Sequence, residues 1–174
     1  MRELVIKLRF ISPCLGRIKK SCSRHGRTQS YYVLPRDPVT GKVVFQKQWW
    51  IAILRSASEV LCRHQQEIPK IRFLLDIDGD PKPIPQHFYK RHSNPQKYSK
   101  HEAFFPGDTI EATCIVPHTI PDDDFLKLMQ YAGKYYGISP AYPGDYGFYE
   151  VISIKPMPPQ KGSSNATKED RETN

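Results

Sequence analysis

Two stretches of this chain carry a helical period, and strand-like runs flank both. That alternation restricts the fold more than any other feature of the sequence. Lys47 to His64 contains neither glycine nor proline, and Trp50, Ile53, Leu54, Ala57, Val60 and Leu61 recur at helical spacing. The spacing predicts an amphipathic helix of about four turns. The second helix opens at Asp122-Asp123-Asp124, which supplies an N-cap and negative charge where a helix dipole favours it. Phe125, Leu128, Met129 and Ala132 form its apolar stripe. It stops either with Gly133 as the C′ residue or, continuing to Tyr136, at Gly137.

The strands fall around these helices. In Glu3 to Ile11, Leu4, Ile6, Leu8 and Phe10 alternate with Val5, Lys7 and Arg9, the period of a half-buried strand that Ser12-Pro13 ends. Ile71 to Ile77 is stopped by Asp78-Gly79-Asp80-Pro81. Asp108 to Val116 follows Pro106-Gly107, and Tyr146 to Ile154 is the last strand. Tyr31 to Leu34 and Lys42 to Phe45 predict a hairpin around Asp37-Pro38-Val39-Thr40-Gly41. Without that hairpin the order is β-α-β-β-α-β. This is an α+β, ferredoxin-like (RRM-like) plait with both helices on one face of an antiparallel sheet. The reading is one domain over 1–155, carrying the extra hairpin and long insertions at 12–30 and 78–105. The polar end, 156–174, is expected to be disordered.

Both insertions are basic. Ser12 to Ser30 holds Arg17, Lys19, Lys20, Arg24 and Arg27, and Pro81 to His101 holds Lys82, Lys90, Arg91, Lys97 and Lys100, with no acid in either. Net charge is +8, and ten of the 26 lysines and arginines lie in these two segments. A solvated basic surface accounts for such charge, but clustering without carboxylates points to a polyanionic partner. No apolar run reaches the roughly 18 residues of a membrane helix. MRELVIKLRF is not a signal peptide, so a cytoplasmic location with no membrane partner is expected. The four cysteines form no CxxC pair and read as free thiols, with Cys62 and Cys114 in apolar patterns that suit the core. Cys14, Cys22 and His25 supply only part of a zinc tetrahedron. Asp76, Asp78 and Asp80 depart from the calcium-loop pattern, because Gly79 precedes the third acid, and turn formation explains them. No metal and no cofactor are expected.

GKYYGISPAYPGDYGFYEV, from Gly133 to Val151, joins the second helix to the last strand. It is too long and too aromatic for a plain connector. Gly133, Gly137, Gly144 and Gly147 permit close approach of backbone to a ligand or to another strand. Tyr135, Tyr136, Tyr142 and Tyr146 have faces on which bases stack. The alternative is that the tyrosines pack on the sheet and the glycines serve tight turns.

Three stretches carry a resemblance. IKLRFISPCLG looks like a first strand running into a Ser/Thr-Pro-Leu-Gly-like turn, and LPRDPVTGKVVFQKQWWIAILRSASEVL looks like a hairpin and the helix after it. GKYYGISPAYPGDYGFYEVISI looks like a glycine-rich loop before a final strand. Together they resemble the RAMP superfamily of CRISPR RNA-binding proteins, in particular the backbone subunits that coat the guide RNA. The resemblance implies binding of single-stranded RNA, or DNA, without strong sequence preference, with Arg55 approaching a phosphate. Arg17, Lys19, Lys20, Arg24, Arg27, Lys90, Arg91 and Lys97 would neutralise phosphates. Tyr89, Tyr98, Tyr136 and Tyr142 would stack on bases. Two alternatives stay open. One is a protein-interaction module that docks on or inhibits a CRISPR-type complex, or self-associates. The other is a metal-independent endoribonuclease drawing acid and base from His25, His87, His92 and Tyr89.

Overall fold

The structure is a computed structural model that describes residues 1–24, 27–79, 82–83, 89–90, 98–139 and 146–157. For 22–24, 27–30, 75–76, 78, 82–83, 89–90 and 98–100 it describes the backbone alone. Strand β1 (Arg2–Phe10) buries Leu4, Ile6, Leu8 and Phe10 and turns Val5, Lys7 and Arg9 the other way. The chain next forms β2 (Cys14–Leu15), β3 (Ile18–Arg24), β4 (Arg27–Val33), α1 (Lys47–Leu61) and β5 (Arg72–Asp78). Then come β6 (Lys82–Pro83), β7 (Tyr89–Lys90), β8 (Tyr98–Phe104), β9 (Thr109–Val116), α2 (Asp122–Tyr135) and β10 (Tyr149–Pro156). The main sheet is antiparallel throughout, in the order β10-β1-β9-β5. This is the strand order of a ferredoxin-like plait, as the sequence pattern requires.

Both helices seal the buried face. Trp50, Ile53, Leu54 and Ala57 of α1 join Phe125, Leu128, Met129 and Ala132 of α2 and the inward row of β1 in one core cluster. Trp50 stacks on Phe73 of β5, with ring centroids 4.6 Å apart and planes 4° from parallel. At the other end of the sheet, a Cβ on Gly133 would lie 2.4 Å from the Tyr149 carbonyl oxygen and 2.5 Å from its ring. Only glycine lets α2 sit that close to β10. The start of β1 is tied to α2: the Arg2 guanidinium donates to the carbonyls of Pro117 and Ile120 and pairs with Asp122 at 2.8 Å.

Helix α2 continues past Gly133 to Tyr135, and Gly137, at φ +65°, makes the stop, so the second of the two termini that the sequence allows is the one adopted. Helix α1 ends at Leu61. Cys62 closes it in the left-handed region, φ 51°, with its N–H directed at the carbonyls of Ser58 and Glu59. Cys62 is therefore exposed, not part of the core as its apolar neighbours suggest, whereas Cys114 is buried. Asp124 fastens the two helices, taking His64 Nε2 at 2.9 Å and the Arg63 guanidinium.

Four expectations need correction. The Asp37 turn forms, its carboxylate accepting the N–H groups of Val39 (2.8 Å) and Thr40 (2.7 Å). Across it, however, only Arg36 and Val43 pair as an isolated bridge. Tyr31–Val33 instead belong to β4, whose partner is β3, so 12–30 is largely a hairpin and not a loop. The described side chains of this hairpin, at 18–21 and 31–33, are exposed or half-buried, so no apolar alternation marks it. Likewise 78–105 contains β8, a seven-residue strand. The last strand begins at Tyr149, because Gly147 at φ +75° bends the chain before it. No helix among the described residues is long and apolar enough to cross a membrane.

Two substitutions probe this packing. Gly133→Ala is expected to lower stability by about 1–3 kcal/mol in urea denaturation, overpacking outweighing the helix propensity of alanine. The Tyr149 hydroxyl is fully buried without a hydrogen-bond partner among the described residues. Tyr149→Phe is therefore expected to be neutral or to stabilise by about 1 kcal/mol, and a clear drop in stability would reveal a partner for that hydroxyl.

Candidate nucleic-acid interface

The two basic insertions meet in a second sheet. Strand β4 pairs in parallel with β8 through Tyr31 with Lys100 and Tyr32 with His101, and β3 runs antiparallel to β4. Strands β2, β6 and β7 also pair with β8.

The root of the β3–β4 hairpin is clamped. Gly16 donates its N–H to the Glu102 carbonyl at 2.9 Å, and a Cβ on Gly16 would lie 2.2 Å from the backbone carbon of Val33. The Gly16 carbonyl is 2.7 Å from His101 Nδ1, and the His101 ring stacks on Tyr32 at 4.8 Å. Burial lowers the His101 pKa below its ordinary value, and the bond to Gly16 works the other way. The Glu102 carboxylate accepts the Leu34 N–H at 2.9 Å and binds the Arg36 guanidinium.

The glycine-rich loop locks onto the same root. Gly147 N–H donates to the Pro13 carbonyl at 2.8 Å, and Phe148 N–H to Ser12 Oγ at 2.8 Å. Cys14 Sγ donates to the Ile138 carbonyl at 3.1 Å, and Leu15 N–H to Ser139 Oγ at 3.3 Å. A Cβ on Gly147 would lie 2.1 Å from the Ile138 carbonyl oxygen, and one on Gly137 2.6 Å from that of Tyr146. Gly133, Gly137 and Gly147 thus allow backbone to approach backbone. Tyr136 is half-buried against the core, its hydroxyl 3.5 Å from the Ser56 carbonyl, and Tyr146 packs beside Leu15 and Ala103. Tyr142 and Gly144 lie outside the described residues. Cys14 is buried, and desolvation pushes its thiol far above the usual range; the Cys22 side chain and His25 lie outside the described residues. No group of three metal-ligating side chains assembles among the described residues.

On the hairpin, Arg17, Lys19 and Lys20 are exposed. Lys20 sits directly opposite Tyr31, so the two share a face; Tyr31 is 36% and Ile18 46% exposed. Among the described residues neither Lys19 nor Lys20 has an ion pair. No local pattern marks Tyr31 as a site residue, because the sequence groups it with the Asp37 turn; its register against Lys20 is what reveals it. Arg24 pairs with Arg27 at the far end, and Lys90 and Tyr89 pair with Tyr98 and Ser99. The side chains of Arg24, Arg27, Tyr89, Lys90 and Tyr98, and all of Arg91, Lys97, His25, His87 and His92, lie outside the described residues. Arg55 is elsewhere, exposed on α1 at the rim of an 880 Å³ groove with Lys47, Ile51 and Pro69.

The open face of the main sheet contrasts with this surface. By strand alternation it presents Val5, Lys7, Arg9, Arg72, Glu111, Thr113, Ile115, Glu150 and Lys155, with no aromatic residue among those described. Lys7 pairs with Glu111 at 3.1 Å and Arg9 with Glu150, so its charge is largely compensated. RRM domains stack bases on aromatic residues of this face. Here the sheet offers none.

No protein-family model matches the chain, and no curated protein matches it. Solved structures do. The Type III-B Cmr-beta bound to cognate target RNA aligns over 88% of this chain at 11% identity with a TM-score of 0.53. The alignment covers 60% of that protein, so this chain matches only part of its length. A Type IV-B CRISPR complex (8% identity, 99% of this chain and 95% of that one, TM-score 0.47) and Cmr4 (11%, 89% and 99%, 0.45) also align. The likeness to the Cmr-beta structure is one of fold.

Gly16→Ala tests the clamp. The variant is expected to be less stable by about 1–3 kcal/mol. In hydrogen exchange it should deprotect Ile18–Val33 while Thr109–Val116 stays protected; uniform protection would show that the root tolerates a side chain.

Proposed function

We propose that the protein binds single-stranded nucleic acid along its second sheet, RNA in preference to DNA and without strong sequence preference. The observation that carries the reading is the exposed, acid-free ribbon of Arg17, Lys19 and Lys20, joined through β4 and β8 to the second basic insertion. A polyanion gains affinity there by releasing counterions. The fold likeness adds support, since the Cmr-beta structure is bound to target RNA. In this reading Arg24, Arg27, Lys90, Arg91 and Lys97 extend the cationic track, and Tyr31 joins Tyr89, Tyr98 and Tyr142 as stacking surfaces. Gly137, Gly147 and Tyr136 act indirectly, by fixing the hairpin root and the helix end. The binding unit is the single domain 1–155, working beside other subunits of a CRISPR-type complex.

Anisotropy of a fluorescein-labelled twenty-nucleotide RNA, titrated across several salt concentrations, tests this. Removing one cation that neutralises a phosphate of a single strand flattens the log–log salt slope by about 0.7, so Lys19→Ala/Lys20→Ala should flatten it by about 1.4. Tyr31→Ala should weaken binding by about 1–3 kcal/mol at every salt concentration. Recovery of intact RNA on a denaturing gel is expected. A salt slope unchanged in the double variant would sink the reading.

A further inference from the structure

Beyond nucleic acid, the helical layer carries a groove of about 580 Å³ between the C-terminal end of α1 and the outer stripe of α2. Leu61 and Arg63 form one wall; Lys127, Tyr131, Lys134 and Tyr135 form the other. Val60 beside it is 55% and Tyr135 51% exposed. Tyrosine and arginine are the residue types enriched at interface centres, and a charged rim around them is the usual surround. Nothing among the described residues covers them.

The chemistry selects an occupant. Asp124 is the carboxylate of the groove, and Arg63 offsets it directly. Lys127 and Lys134 remain as surplus positive charge, the first 3.9 Å from Asp124 and the second 5.1 Å from the Tyr135 ring centroid. The two lysines are seven positions apart on the helix, which is about 10.5 Å along the axis. Tyr131 lies between them, and its ring is 4.5 Å from that of Tyr135, just past Lys134, and tilted by 40° to it. The rings lean against each other at an angle, and Lys134 sits over that of Tyr135. Little parallel face is left for a nucleobase, whereas ring edges and Leu61 suit an aliphatic or aromatic side chain.

We infer that this groove docks an acidic peptide segment of a partner protein, with two carboxylates about 10 Å apart bracketing one apolar anchor. That separation corresponds to acids seven residues apart on a helix or about three apart in an extended strand. The inference is independent of the nucleic-acid reading, because it uses none of the residues of the second sheet.

A phage-displayed library of random twelve-residue peptides, selected on the full chain and counter-selected on Lys127→Ala/Lys134→Ala, tests it. Enriched peptides should carry an acidic pair at one of those spacings around an apolar residue. A fluorescein-labelled copy should bind the parent at least tenfold tighter than the double variant or Tyr131→Ala. A ten-nucleotide oligouridine should not displace it, and oligouridine affinity should change less than twofold in the double variant. Because both lysines are exposed, that variant carries the test even if Tyr131→Ala fails to fold. Enrichment of basic or uncharged peptides, or no enrichment over the counter-selected variant, would overturn the proposal. Displacement by oligouridine with parallel weakening in the variant would also overturn it, by assigning the groove to nucleic acid.

Discussion

The contact on which the rest of the structure depends is the one between Ile11–Leu15 and the chain that enters β10. A strand leaving the middle of a sheet has to cross the sheet's end, and its backbone groups must find partners there. Here the backbone groups of Ile11, Ser12, Pro13 and Leu15 find them in Phe148, Gly147 and the Ser139 hydroxyl, and the Cys14 thiol adds a bond to the Ile138 carbonyl. To present these groups the loop closes on itself, Gly137 against Tyr146 and Gly147 against Ile138, at distances that leave no room for a side chain. Once the crossing is fixed, Gly16 lies flat on Val33 and the hairpin direction follows. The glycine-rich loop therefore reaches the basic surface through its backbone.

The main architecture is legible in the sequence because its elements have one wet and one dry face. Leu4, Ile6, Leu8 and Phe10 announce a strand, and Trp50 to Leu61 a helix, since burial imposes a period on whatever is buried. The second sheet has no such signature. Lys19, Lys20 and Ser21 are exposed, and Tyr31 and Tyr32 opposite the two lysines lie outside the core clusters, so no apolar period is imposed there, and the pairing with β8 is invisible to any local window. Tyr31 illustrates the difficulty: an exposed ring opposite a lysine has, in sequence, the look of a hairpin that barely exists. The glycines admit two purposes in sequence, and the distances at 133, 137 and 147 decide for packing. The acid-free composition of the two insertions is legible, because charge can be counted without knowing the fold.

The plait and the added sheet divide the labour. The open face of the plait pairs Lys7 with Glu111 and Arg9 with Glu150, which mutes its field. Exposed pairs of this kind contribute little stability. The hairpin instead keeps its cations in an acid-free ribbon and anchors them with Glu102 at the root, where the carboxylate holds Leu34 and Arg36 rather than the lysines. The helical layer has a third character, with tyrosines and lysines interleaved beyond the Asp124 clasp. Three surfaces of one small fold thus differ in charge because different strands and helices of the same core present them.

The parallel pairing of β4 with β8 also sets an order of assembly. Leu34 and Glu102 are 68 residues apart in the chain. Closing a loop of that length in an unfolded chain is unfavourable, and contacts of high sequence separation slow folding. Antiparallel registry of β1 with β9 brings Phe10 beside Asp108 and shortens the search, since β2 and β8 then emerge from neighbouring points. Contact separation accordingly predicts that the added sheet pairs after the plait has formed. The opening of that sheet would leave the nucleus of the molecule in place.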